Sequence, residues 1–247
     1  VSLELNEKQL NSLTKLTPKT RKKGVNPKSK GKTFEYEVAN YLTEKTGMPF
    51  QRIFTSGAAV GQSNRGRLVQ MTSGQAMVNL GDVTSPELLR QLVIWECKNY
   101  ANVELNLLLS PKGSKQITGW LSELLYDVES ALTTGFTNKE VIGFLCIKWT
   151  RKGSWIVFNQ SILSKIFYNN INDFFDFKTM TSLQFNYIVS DILREHGWGN
   201  QFIMVNFEEF INTYHKVLFQ LMSEDELKDQ MLANMQREID RIKNASD

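Results

Sequence analysis

Apolar residues recur at helical spacing between Lys32 and Lys45, where Phe34, Val38, Tyr41 and Leu42 fall on one side and Gly47 then Pro49 stop the run. Gln51 to Thr55 reads as a short strand leading into a polar, glycine-bearing stretch, Ser56 to Asn79, which is too long for an ordinary loop. Leu80–Thr84 and Leu92–Lys98 read as two strands joined by a turn near Ser85 and Pro86. Ser114–Leu132 is an amphipathic helix with Ile117, Trp120, Leu121, Leu124, Leu125 and Val128 on one face. Val141–Trp149 and Trp155–Phe158 form a hairpin around Arg151, Lys152 and Gly153.

The segment 161–200, rich in Phe, Asn and Ile, reads as a helical insertion, followed by a strand at Phe202–Val205 and a helix at Phe207–Leu221. The charged end, Glu224 to Lys243, carries Leu232, Met235, Ile239 and Ile242 at 3-4-3 spacing, two heptads being too few for a coiled coil. The expected organisation is a flexible basic arm over 1–30, a core over 31–160, the insertion over 161–200, the end of the core over 201–222 and a charged C-terminal helix over 223–247. The fold class is α/β, with a mixed central β-sheet flanked by helices.

Composition narrows the class. With 247 residues, 41% of them hydrophobic, the chain can build one large core. No run of about 18 apolar residues and no charged-then-apolar leader is present, so neither a membrane span nor a secretory signal is expected, and the cytoplasm is the default compartment. Cys97 and Cys146 lie in apolar runs and read as buried, reduced thiols. His196 and His215 stand far from any cysteine pair and offer no metal-ligand spacing. Gly57–Gly61 lacks the Gly-Lys-Ser/Thr ending of a phosphate-cradling loop, so no nucleotide cofactor is expected. The net charge is +3, but Lys15 to Lys32 holds eight cations (Lys15, Lys19, Arg21, Lys22, Lys23, Lys28, Lys30, Lys32) and no acid. Such an arm suits phosphate neutralisation.

The pattern acid-any-lysine occurs at Glu96-Cys97-Lys98, Asp176-Phe177-Lys178 and Glu226-Leu227-Lys228. Glu226 and Lys228, two apart on a helix, diverge. Asp176 lies in the insertion without a strand partner. Only Glu96 ends an apolar strand, and alternation projects Glu96 and Lys98 from one face and Trp95, Cys97 and Asn99 from the other. An antiparallel turn centred near Leu89 sets residue 82 opposite residue 96, so Asp82 stands beside Glu96. Two carboxylates that close repel unless a cation lies between them, and their oxygens suit Mg²⁺, with Mn²⁺ as substitute. Such a site predicts phosphodiester hydrolysis, with Lys98 orienting or helping to deprotonate water, or stabilising charge on phosphorus.

Gly31-Lys32-Thr33-Phe34-Glu35-Tyr36-Glu37, Arg52-Ile53-Phe54-Thr55-Ser56-Gly57-Ala58, Gly81-Asp82-Val83 and Trp95-Glu96-Cys97-Lys98-Asn99, in that order, resemble the archaeal and phage Holliday-junction resolvase branch of the PD-(D/E)XK nuclease superfamily. The resemblance covers residues 30 to 130. It implies a restriction-endonuclease-like core, metal-binding Asp82 and Glu96, a catalytic Lys98 and an assisting helix acid. That acid falls on Glu35, with Glu37 as the alternative. The Ser56-Gly57 turn resembles a segment that approaches the scissile phosphate. The motif's proline is replaced by Gly81, residues 56–79 are longer than in compact resolvases, and the match fades after residue 135. Gln116 and Trp120 resemble the Gln-x-x-x-aromatic motif of the superfamily's exonucleases, although Trp120 suits the core.

The expected function is therefore a metal-dependent DNA endonuclease, resolvase-like and homodimeric on branched DNA. The alternatives are another DNA endonuclease or exonuclease of the same fold, or a nucleic-acid-binding protein without catalysis. Expected DNA contacts are Lys22, Lys23, Lys30, Lys32, Arg52, Ser56, Arg65, Arg67 and Gln116.

Overall fold

The computed structural model describes residues 27–54, 71, 75, 79–109, 113–134, 137, 139–168 and 180–244. Lys22, Lys23, Ser56, Arg65, Arg67 and Asp176 lie outside them. The chain runs α1 (Pro27–Thr46), β1 (Gln51–Arg52), β2 (Val83–Thr84), β3 (Leu92–Tyr100), a 3₁₀ turn (Leu105–Leu109), α2 (Lys115–Thr133), β4 (Val141–Trp149), β5 (Gly153–Asn159), α3 (Gln160–Tyr168), β6 (Ser182–Asn186), α4 (Asp191–Glu195), β7 (Gln201–Asn206), α5 (Phe207–Leu218) and α6 (Glu224–Asn244). Among the described residues the strands form a seven-stranded mixed sheet in the order β1-β2-β3-β4-β5-β7-β6. Among these described strands, only β3 and β4 pair in parallel. A parallel neighbour needs a crossover, and α2 supplies it.

The two faces of the sheet carry different helices. Trp95, stacked on Phe144 at 4.9 Å and packed with Phe50 and Phe219, faces α1 and α5. Phe144 in turn meets Phe210 of α5. On the other face α2 buries Ile117, Trp120, Leu121, Leu124, Leu125 and Val128, the stripe its periodicity predicts. Its first turn is capped by Ser114, whose Oγ accepts from the Ile117 N–H at 3.3 Å. At Gly143 on β4 an added Cβ would lie 3.0 Å from Val128 and 3.2 Å from Leu124, so this glycine sets how closely α2 approaches the sheet.

Several boundaries move. The helix expected from Lys32 begins at Pro27, so the last residues assigned to the flexible arm are helical. Proline tolerates the first helical turn, where its missing N–H has no partner to lose, and the Thr33 hydroxyl bonds the Ser29 carbonyl across Gly31. The strand expected at Gln51–Thr55 pairs only over Gln51–Arg52, with the Ile53 N–H donating to the Asp82 carbonyl at 2.9 Å. Leu80–Thr84 narrows to Val83–Thr84. The segment 161–200 is not a purely helical insertion: Ser182–Asn186 is a strand on the sheet's far edge, paired antiparallel to β7. Buried Phe185 alternates there with exposed neighbours, a period-2 pattern too short to stand out in the sequence. The helix from Phe207 stops at Leu218, and Leu221 instead bridges to Leu89. Among the described residues, no helix is long and apolar enough to cross a membrane.

Candidate active site

β2 and β3 form the frame. Val83 pairs with Trp95, and that register continued by one residue sets Asp82 opposite Glu96. The strand pair itself is Val83–Trp95, in the expected register, and Asp82 lies one residue before the strand. Asp82 is held by its backbone, whose N–H donates to the Trp95 carbonyl at 2.6 Å, and by its side chain, whose Oδ2 accepts from the Cys97 N–H at 2.8 Å. Gly81 allows this approach. It has a φ of +73°, and a Cβ there would sit 2.5 Å from the Trp95 carbonyl oxygen.

Alternation along β3 sends Glu96 and Lys98 toward α2, while Asn99 turns to α1 and donates to the Lys30 carbonyl at 3.0 Å. The Lys98 Nζ lies 2.6 Å from Glu96 and 2.5 Å from Glu123 of α2. Glu123 was not anticipated, nor was Asp127 one turn further on, whose Oδ2 accepts from the Gly81 N–H at 3.0 Å. Both flank the apolar stripe of α2, four residues apart, which is the signal that marks them as neighbours on one side of the helix.

Glu35 of α1 is buried beside Asp82, and the Arg52 Nε donates to its Oε2. The Arg52 guanidinium also lies over the rings of Tyr36 at 5.5 Å and Phe54 at 5.4 Å. This expected DNA contact is thus engaged by an acid of the site, with a side chain only 7% exposed. Glu37 points elsewhere and pairs with Lys148. Of the two helix acids, Glu35 is the one near Asp82. Gln116 ties down the chain after β3: its Oε1 accepts from the Glu104 N–H at 3.0 Å and its Nε2 donates to the Asn102 carbonyl at 3.3 Å. Trp120 is core, packed with Tyr100 at 4.7 Å. Lys30 and Lys32 are both exposed on the first turns of α1.

The electrostatics are those of an acid-rich cluster. Burial, then the charge of Asp82, raises Glu96 to about 8 despite Lys98, and Asp127 adds to the rise. Burial followed by Asp82 also raises Glu35, against the pull of Arg52. Burial would lower Lys98, but Glu96 and Glu123 outweigh it and hold the ammonium charged above its ordinary range.

Among the described residues no group of three or more His, Cys, Asp or Glu forms a ready-made metal cage. Mg²⁺ does not require one, because it is commonly held by one or two carboxylates, with water and substrate phosphate completing the octahedron. Asp82 and Glu96 fit that donor set. They form a half-buried acid pair in which burial, then the charge of Asp82, raises the Glu96 carboxyl to about 8 even with Lys98 beside it.

No curated protein and no solved structure matches the chain. A family model described as "Phage putative PDDEXK endonuclease" matches residues 26–220, from the start of α1 through the end of α5, and thus takes in the whole sheet and the acid pair. The chain belongs to this PDDEXK endonuclease family, a nuclease family within the PD-(D/E)XK superfamily.

Proposed function

We propose that the protein is a divalent-metal-dependent DNA endonuclease whose site is Asp82, Glu96 and Lys98, assisted by Glu35. The observation that carries this reading is the nearness of Asp82, one residue before the Val83–Trp95 pair, to Glu96, whose carboxyl feels its charge, with Lys98 two residues on and ion-paired to Glu96. Asp82 and Glu96 are the residues that would hold Mg²⁺, with Mn²⁺ as substitute, and Glu35 lies near enough to support them. When bound, such an ion supplies Lewis-acid polarisation of the scissile phosphodiester.

The chain's own groups do the rest. Lys98, kept charged between Glu96 and Glu123, acts as a fixed cation for the charge that grows on phosphorus and as an orienting donor to water. Its raised pKa argues against the alternative role of proton acceptor. Arg52 neutralises Glu35 and holds it in place. Lys30 and Lys32, on the turns of α1 that precede Glu35, are positioned to meet backbone phosphates.

A finer reading rests on the four sequence blocks that resemble Holliday-junction resolvases: a structure-specific enzyme acting as a homodimer on branched DNA. A panel of labelled linear duplex, single strand, flap and four-way junction, each with Mg²⁺, Mn²⁺, Ca²⁺ or excess EDTA, tests both levels. Cleavage with Mg²⁺ and Mn²⁺, and binding without turnover in Ca²⁺, is expected. Preference for the junction supports the finer reading, and equal cleavage of linear duplex removes it. Full activity in EDTA removes the metal site.

A further inference from the structure

Asp127 has no place in the sequence blocks, yet it reaches the turn that delivers Asp82. The superfamily motif has a proline before the aspartate, a residue with a fixed φ and no N–H. Here Gly81 stands in that place. Glycine brings two problems that proline does not: freedom about φ, and an N–H that needs a partner beneath α2. Both are met from outside the turn. The wall of β3 meets Gly81 on one side, where the Trp95 carbonyl leaves no room for a Cβ. On the other side the Asp127 Oδ2 takes the Gly81 N–H at 3.0 Å across 46 residues of sequence. The next residue is Asp82, whose own N–H continues the clamp onto Trp95 at 2.6 Å.

We infer that Asp127 is a positioning residue for Asp82: it pins the Gly81 N–H and so replaces, by a hydrogen bond from α2, the rigidity that the motif's proline gives. The inference rests on Asp82 being a metal ligand and assigns Asp127 no contact with metal or substrate. An outer partner that orients a ligand changes metal affinity by roughly 10- to 100-fold when removed. Asparagine at 127 keeps an oxygen of the same reach, so it should keep the function, whereas alanine should lose it.

The test is Mn²⁺ binding to the intact protein without DNA, followed by calorimetry, for the native chain, Asp82→Ala, Asp127→Ala and Asp127→Asn, with thermal midpoints recorded alongside. The expected pattern is loss of binding in Asp82→Ala, an affinity roughly 10- to 100-fold weaker in Asp127→Ala, and near-native affinity in Asp127→Asn. Should Asp127→Ala not fold, Asp127→Ser, polar but one bond too short to reach Gly81, takes its place with the same expectation. Native Mn²⁺ affinity in a folded Ala or Ser variant, with binding lost in Asp82→Ala, overturns the positioning role and leaves the metal site standing. Asparagine as damaging as alanine also overturns it, since charge rather than the hydrogen bond would then be at work. Unchanged binding in Asp82→Ala overturns the metal assignment itself, and this inference with it.

Discussion

At the scale of single residues the site is an electrostatic problem solved in two halves. Lys98 is compensated by Glu96 and Glu123, whereas Glu96 and Asp82 remain a repelling pair. In EDTA, Glu96 stays protonated in the folded protein up to about pH 8, while in the unfolded chain it ionises near its ordinary value. Between those limits the folded state binds the extra proton, so stability falls as pH rises through the window. The raised pKa of Glu35 slopes the same way. Without metal, the thermal midpoint should drop between pH 5 and pH 8 by on the order of 5 °C, and Glu96→Gln should flatten the slope. Mg²⁺ at pH 8 should raise the native midpoint and leave that of Asp82→Ala unchanged. A flat or rising profile in EDTA would show that Glu96 does not hold its proton beside Asp82. For Lys98 the charge is the function, so Lys98→Met should slow single-turnover cleavage by about 10²-fold or more, with DNA binding largely kept. Lys98→Arg should restore part of the rate, because it keeps a cation with altered geometry. An arginine variant as inactive as methionine would point instead to proton transfer by the lysine.

At the scale of elements, the site depends on how closely α2 lies on β4, because α2 brings Glu123 to Lys98 and Asp127 to Gly81. Gly143 sets that distance. Gly143→Val forces branched atoms into Leu124 and Val128, and overpacking of this kind costs about 1–3 kcal/mol. The variant should lower the denaturant midpoint accordingly and cut cleavage more than the stability loss accounts for, since α2 shifts away from both partners. Destabilisation with normal turnover of the folded fraction would mean that α2 contributes packing alone. Elements whose residues carry their own period were legible in the sequence: β3 as an apolar run ending in Glu96 and Lys98, α2 as a wide stripe, and the Asp82–Glu96 register from the turn between them. Other features depend on contacts that no local pattern encodes. Arg52 reads as a phosphate contact until the fold sets Glu35 against it, and no motif in the sequence singles out Glu123 and Asp127, which the crossover brings over β3 with α2. The edge strand β6 has too few alternating residues to outweigh the helical character around it.

At the scale of the whole molecule, the acid pair needs DNA to be brought to it, and the formal charge of +3 is too small to do this unless it is concentrated. The concentration lies before α1. Lys15, Lys19, Arg21, Lys22 and Lys23 precede Pro27, which opens the helix that carries Lys30, Lys32 and then Glu35. A truncation that tests steering must therefore end at residue 26, because a deeper cut unravels the first turns of the helix beneath Glu35. Deleting residues 1–26 leaves Asp82, Glu96, Lys98, Glu123 and Asp127 in place, so turnover at saturating DNA should change little. Affinity should fall, and the log-log slope of binding against salt should flatten by several units, as counterion release contributes about 0.9 per phosphate neutralised. The intact chain and the truncation, titrated with one duplex across a salt series, give both slopes. Parallel lines would mean that these cations do not meet phosphates, and the steering role would then pass to Lys30 and Lys32 on the helix itself.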